Sequence, residues 1–362
     1  MRVTFVIHSL GHMGGAEKIL VTLASALSTR GYKITLLTLD DKKSLFELPK
    51  QIQLIQKRDT SKERKKWFHL PVIEQINWIK NHLENNQTDI TISLIGATNV
   101  LVAIAAYLAH IPSILWEHSS YHRSVTEGRG AVGAMVWRVL RRISYPLAKH
   151  LVLLTKEDLP KYHYVQSVSV IPNPLVLKNT HKDIMREKII LGVGRLHPVK
   201  GFDMLLDAFA QSGLNDWQLN IAGEGDERKN LERQIKRLGI EDRVKLLGLV
   251  KDMEMLYKKS TIFVLSSRSE GFPGGLCEAM GYGCACIAFD CPTGPKEIIT
   301  PNVDGILVES NDVDALAHSM NHLANTPQKS ALLAQHAISI KKTLHIETIV
   351  KVWEDIIDTV IK

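Results

Sequence analysis

Two carboxylates and two cations in the second half of the chain have the types and spacing to do chemistry. Glu270 and Glu278 have seven residues between them, in SSRSEGFPGGLCEAMGYG (266–283). Gly271, Gly274 and Gly275 make a turn with free amides, and Leu276 is expected to open a helix. Amides at a helix N-terminus bind phosphate. A carboxylate on each side would repel a pure anion, yet it suits a ligand whose sugar hydroxyls need acceptors. The unit therefore reads as hydroxyl, diphosphate, hydroxyl, which is the layout of a nucleotide sugar. The alternative for Glu278 is a first-turn carboxylate stabilised by the helix dipole.

The cations lie upstream, in Gly194-Arg195-Leu-His-Pro-Val-Lys200-Gly201. They follow an apolar strand and precede a helix, at the carboxyl end where parallel sheets take ligands. A diphosphate offers oxygens to both. The competing reading is a pair of solvated surface cations. In the first half, His118 of WEHSS (116–120) follows a strand, with Glu117, His122 and Arg123 beside it. Such a histidine is as readily structural as functional.

Strand and helix alternate along the elements that must position these groups. Val3–Ile7, Ile34–Leu39, Ile90–Leu94, Ser113–Trp116 and Leu151–Leu154 read as strands buried on both faces. Helices are expected over Glu17–Ser28 and 98–109. IPNPL (171–175) and the polar stretch to Glu187 read as a linker. A second series follows, with strands Lys188–Val193, Gln218–Ala222, Val244–Leu247, Ile262–Leu265 and Ala285–Ala288, and helices Asp203–Gln211 and Glu227–Leu238. The fold class is α/β, as two Rossmann-like, doubly wound parallel sheets. The expected division is 1–172, a linker over 173–187, 188–345, and a C-terminal helix over 346–362. That helix has one apolar face (Ile346, Ile349, Val350, Trp353, Ile356, Ile357, Val360), which reads as a clamp on the core. With 362 residues, 45% of them hydrophobic, the chain suits two cores better than one.

Residues 90–116 carry no charge, but Ser93, Gly96, Thr98, Asn99, His110 and Pro112 punctuate them as strand, helix and strand, not as a membrane span. The start of the chain reads as a strand and not a signal peptide. Cys277, Cys284, Cys286 and Cys291 lack zinc-ligand spacing and read as buried thiols.

The charge is uneven. Residues 1–172 hold 22 Lys and Arg against 13 Asp and Glu, and the remainder 23 against 25, giving the overall +7. The basic half suits a nucleic acid, an anionic membrane or a phosphorylated lipid, or simply a solubilising surface. Lys62, Arg64, Lys65 and Lys66 precede Trp67-Phe68; Arg138, Arg141 and Arg142 sit beside Met135, Trp137, Leu140 and Ile143. No helix-turn-helix or aromatic RNA platform is visible, and a basic helix with tryptophan suits a membrane better. A dehydrogenase is the other alternative, since HSLGHMGGAE follows a strand and Asp40 or Asp41 ends the next. The G-x-G-x-x-G pattern is missing, however.

The Glu-x7-Glu unit, the Gly-Arg…Lys unit, GGAE (14–17) and the IPNP linker together, placed over nearly the whole chain in the family's order, resemble family-4 retaining glycosyltransferases of the GT-B fold. WRVLRRISYP (137–146) and DCPTGPKEII (290–299) resemble bacterial enzymes of O-antigen, capsule and exopolysaccharide assembly in particular. The resemblance implies two domains facing across a donor cleft, retention of anomeric configuration, no essential metal, and no cofactor beyond a nucleotide-sugar co-substrate, a UDP-sugar. It places Glu278 on the donor ribose and Glu270 near hydroxyls of the transferred hexose or N-acetylhexosamine. Arg195 and Lys200 fall on the diphosphate, with the Gly271, Phe272, Gly274, Gly275 and Leu276 backbone alongside; Pro273 has no amide proton to offer. Gly14 and Gly15 match a loop facing donor and acceptor, His118 the histidine near the reacting carbon, Val250 the segment holding the base, and Glu224 an acid of a second loop. The implied acceptor is a glycan on a polyprenyl diphosphate, reached from the cytoplasmic face of an anionic membrane, with no nucleic acid involved.

Overall fold

The computed structural model of the chain describes residues 1–11, 14–58, 71–126, 128–181 and 184–362. The basic cluster Lys62–Lys66 with Trp67-Phe68 lies outside the described residues. The chain forms two compact units, Met1–Pro174 with Ile346–Lys362, and Leu175–His345.

The first unit is built on seven strands: β1 (Arg2–Ile7), β2 (Lys33–Thr38), β3 (Gln53–Gln56), β4 (Ile90–Leu94), β5 (Ser113–Trp116), β6 (His150–Leu153) and β7 (Val168–Val170). Their order is β3-β2-β1-β4-β5-β6-β7, and every pair is parallel. The central strands are apolar runs because helices cover both faces: β4 is buried at all five positions. The uncharged stretch resolves into β4, the helix Gly96–Leu108 and β5. No helix among the described residues is long and apolar enough to cross a membrane.

The C-terminal helix Ile346–Ile361 belongs to this unit. Its Ile349, Val350, Trp353 and Ile357 are buried, and Trp353 meets Trp116 of β5 edge-on, with ring centroids 4.7 Å apart. The polar stretch after Pro174 is bonded into the second unit: Leu175 N–H donates to the Leu344 carbonyl, and Glu254 accepts the amides of Thr180 and His181, each at 3.0 Å.

The second unit has six parallel strands: β8 (Glu187–Val193), β9 (Gln218–Ala222), β10 (Val244–Gly248), β11 (Ser260–Leu265), β12 (Ala285–Phe289) and β13 (Ile306–Val308), in the order β10-β9-β8-β11-β12-β13. The chain winds outward from β8 to β10, then returns to place β11 on the other side of β8. The loops after β8 and β11 therefore diverge, which opens a crevice at their carboxyl ends. All four cysteines are free and buried.

One expectation fails here. Of the three arginines assigned to a membrane-facing cluster, Arg138 and Arg142 are exposed, but Arg141 is 1% exposed and points into the first unit. Its Nη2 lies 3.0 Å from Glu117 Oε1 and also bonds Tyr162 Oη, while Nη1 bonds Ser124 Oγ. The guanidinium stacks over Tyr121, Tyr145 and Tyr162. Against the cost of burial, Glu117 and then Tyr145, Tyr162 and Tyr164 hold its pKa well above the ordinary arginine value. The reason is helical phase. On the helix Ala131–Ser144, Ala134, Arg141 and Ser144 share the buried face, three or four residues apart or multiples of that.

Candidate active site

The loops that bound the crevice at β8 and β11 carry three of the charged candidates of the second unit. β8 delivers Arg195 and Lys200, and β11 delivers Ser267 and Glu270. The two loops are tied directly: Arg268 N–H donates to the Val199 carbonyl at 2.8 Å, and Ser266 Oγ donates to the Lys200 carbonyl at 3.0 Å. The approach is so close that only glycine fits at 201. Its φ is 62°, and a Cβ there would lie 2.0 Å from the Ser266 carbonyl oxygen.

Lys200 Nζ sits 2.7 Å from Glu270 Oε1, with side-chain exposures of 22% and 7%. Lys200 is therefore not the exposed cation the sequence suggests. It neutralises a carboxylate that is nearly buried. Ser267 Oγ donates to the same Glu270 oxygen. Thr293 Oγ1 grips the Glu270 carbonyl, and the Glu270 amide donates to the Pro292 carbonyl. Ser267 and Thr293 thus fix Glu270 from both sides. Neither was singled out in the sequence, where a serine before a glutamate and a threonine in a turn carry no signal of their own. Arg195 is exposed and makes no hydrogen bond or ion pair among the described residues. It is the cation an incoming anion can meet first.

The helix after the glycine turn runs Gly274–Gly281, opening two residues earlier than expected. Two of the amides assigned to the cradle are consumed by that opening: Gly274 N–H bonds the Phe272 carbonyl and Leu276 N–H bonds the Pro273 carbonyl. Among the described residues, the amides of Gly271, Phe272 and Gly275 have no protein acceptor. The cradle is therefore narrower than the sequence reading has it. Glu278 falls in the second turn, so the first-turn dipole alternative does not hold. It is half-buried and accepts a hydrogen bond from Tyr257 Oη at 3.1 Å. Tyr257 is fully buried and stacked on Tyr282; it orients Glu278 and is a third residue the sequence does not betray.

Glu224 and Val250 lie on the loops after β9 and β10, which are tied to the loop after β8. The Gly223 amide donates to the Gly248 carbonyl, and the Leu196 amide to the Glu224 carbonyl. The loops after β8, β9 and β10 thus form one rim. Val250 is half-buried on it, and Glu224 leans on Arg228 at 3.5 Å.

In the first unit, His118 follows β5. Its Nε2 is buried with no partner among the described residues, and its ring lies 4.4 Å from that of Trp116. Desolvation pushes the imidazole pKa down to about 3, so it is neutral at physiological pH. The neighbouring Glu117 is 2% exposed and takes hydrogen bonds from Arg141, Tyr145 and Asn99. Glu117 is thus structural. Gly14 caps the helix Gly15–Thr29, and a Cβ there would collide with the Glu17 carboxylate, whereas one on Gly15 would meet open space.

Two family models match the chain: Glycosyltransferase Family 4 over residues 13–178 and Glycosyl transferases group 1 over 177–339. Together they span both units, and the chain belongs to the family-4 glycosyltransferases of the GT-B fold. It is 29% identical over 369 residues, 98% of this chain and 97% of the relative, to the Campylobacter jejuni "GalNAc-alpha-(1->4)-GalNAc-alpha-(1->3)-diNAcBac-PP-undecaprenol alpha-1,4-N-acetyl-D-galactosaminyltransferase". It is 27% identical to the amylovoran biosynthesis glycosyltransferase AmsD of Erwinia amylovora, over 99% of both chains. The fold matches that of Anabaena Alr3699/HepE, solved in complex with UDP, at a TM-score of 0.79 and 21% identity over 99% of this chain and 100% of that one.

If Glu270 contacts the transferred sugar and Glu278 the ribose, their losses separate. Ribose contacts are equal in ground and transition states, whereas sugar contacts sharpen as the anomeric carbon becomes cationic. Glu278→Gln raises KM with kcat little changed. Glu270→Gln lowers kcat by roughly 10–100-fold, the size of one charge-assisted hydrogen bond. Equal rises in KM with kcat intact in both variants would remove the division of roles.

Proposed function

We propose that this enzyme moves a hexose or N-acetylhexosamine from a UDP-sugar to a glycan carried on a polyprenyl diphosphate, at the cytoplasmic face of a bacterial membrane, in surface polysaccharide assembly. The observation that carries the donor reading is the Lys200–Glu270 pair at the crevice between β8 and β11, with exposed Arg195 beside it. A diphosphate takes the cations, and a sugar hydroxyl replaces Lys200 on Glu270. UDP is supported by the complex of the similarly folded Anabaena protein. The lipid diphosphate is supported by the acceptor named for the Campylobacter relative, and the polysaccharide by the amylovoran relative.

The transfer retains anomeric configuration, as the family resemblance implies. Charge on the leaving diphosphate is met by Arg195, Lys200 and the amides of the glycine turn, so no divalent metal is required and no cofactor beyond the donor itself. The Asp-x-Asp of the sequence, Asp312-Val313-Asp314, does other work: Asp312 caps a helix by accepting the Ala315 amide at 2.8 Å. No nucleic acid takes part.

The test is a panel of nucleotide sugars assayed for hydrolysis and binding in excess EDTA. One UDP-sugar is consumed at full rate with the chelator present, and with acceptor added the anomeric proton coupling reports an α-linked product. Complete loss in EDTA restored by Mn²⁺, or a β-linked product, would each overturn its part of the proposal.

A further inference from the structure

The helix Ala131–Ser144 wears its apolar stripe on the outside. Val132, Met135, Val136, Val139, Leu140 and Ile143 are 44–78% exposed, at the i, i+3, i+4, i+7, i+8, i+11 spacing that ordinarily faces a core. A contiguous apolar patch of this kind marks a surface made to meet something. The inner face is firmly seated. Arg141 is ion-paired to Glu117, and Trp137 is half-buried under Arg129, whose guanidinium lies 4.6 Å from the ring centroid. The outward stripe is thus the free face of a well-anchored helix.

We propose that this face docks on an anionic phospholipid bilayer, with the stripe in the interfacial layer and Arg138 and Arg142 at headgroup level. Charge selects that occupant. The helix carries three arginines and no acidic residue, and its two exposed arginines, four residues apart, line one edge of the stripe. The surrounding residues 1–172 hold 22 basic against 13 acidic side chains. A second copy would bring the same positive charge against this edge, whereas an anionic bilayer complements it. At 14 residues, the helix is about 21 Å long against a hydrocarbon core of about 30 Å, so it lies in the interface and does not span.

The purpose of the docking rests on the lipid-linked acceptor proposed above. Arg141, on the inner face, holds Glu117, the residue before His118. A bilayer against the outer face therefore lies about one helix diameter, roughly 10 Å, from that loop, a distance suited to a glycan standing off a lipid diphosphate.

Flotation with vesicles of phosphatidylcholine and phosphatidylglycerol, without nucleotide or acceptor, tests the docking. The protein floats with these vesicles and far less with phosphatidylcholine alone. Arg138→Gln/Arg142→Gln weakens partition by roughly thirtyfold, and Met135→Glu/Val139→Glu/Ile143→Glu abolishes it. Val139→Cys bearing a polarity-sensitive dye shifts blue on the anionic vesicles; the label is selective because the four native cysteines are buried. A wild type that does not float, an unshifted dye, or a Glu variant that floats as wild type overturns the proposal. So does a lipid-free dimer that the Glu variant dissolves, since the stripe is then a subunit interface. UDP binding, measured in parallel, keeps the two readings apart: floating protein that binds no nucleotide sinks the donor reading and leaves the docking, and the converse sinks the docking alone.

Discussion

Lys200→Ala and Arg195→Ala each lower the transfer rate by roughly 10²–10³, the usual loss when one preorganised donor is withdrawn from charge that develops in the transition state. Their stabilities diverge, and the divergence tests the geometry. Arg195 is exposed and unpaired among the described residues, so its removal leaves the melting curve unchanged. Lys200 sits on Glu270 at 2.7 Å. Its removal strands a nearly buried carboxylate that keeps only the Ser267 hydroxyl, a cost of about 1–3 kcal/mol. Pairing Lys200→Met with Glu270→Gln returns most of that stability while the rate stays low. Rates like wild type in both single variants would end the phosphate assignment. An unchanged melting curve for Lys200→Ala would mean that the pair is open in solution.

Arg141→Ala destabilises the first unit by about 3–5 kcal/mol, the cost of leaving a buried carboxylate without its cation. Glu117 is 2% exposed, and its Oε1 is where Arg141, Tyr145 and Asn99 converge. The truncation also empties a space lined by Tyr121, Tyr145 and Tyr162, so the three rings lose their cation as well. Thermal melting with UDP present separates the units, because a ligand on the second raises its transition and leaves the first alone. The lower transition falls by about 10 °C, at roughly 2–4 °C per kcal/mol for a unit of this size. Arg141→Met with Glu117→Leu recovers most of the loss, since an apolar pair of similar volume replaces a buried ion pair at little cost. A shift under about 2 °C would place Arg141 at the surface, and the membrane cluster would regain its third arginine.

The central strands were legible because parallel strands covered on both faces are written as apolar runs: β4 and β5 were bounded without error. β3, β7 and β13 were missed. Each is three or four residues long, none is buried throughout, and all three sit at sheet edges. Edge strands are short and polar by necessity, so the signal that marks a core strand is absent from them. The cations and carboxylates of the site were legible by type and spacing. Their pairing was not, because nothing in two segments seventy residues apart states that Lys200 rests on Glu270. Arg141 was misread for a different reason. It was grouped with Arg138 and Arg142 by closeness along the chain, whereas helical phase sets it on the buried face, opposite the exposed apolar stripe.

The seating of Trp353 against Trp116, and of Trp116 beside His118, bears on how the protein is made. The first unit begins the chain but lacks its final helix until residues 346–362 leave the ribosome, after the whole of the second unit has been synthesised. Through that interval the underside of β5 is uncovered and the histidine stands on an incomplete floor. Arg30 meanwhile waits for Glu347 and Glu354 of the same helix. A chain that stops before Ile346 therefore carries a finished second unit joined to a first unit that lacks its last helix. The helix Ile346–Ile361 thus completes the first unit only after the second has been made, and a truncation before Ile346 is expected to destabilise the first unit alone.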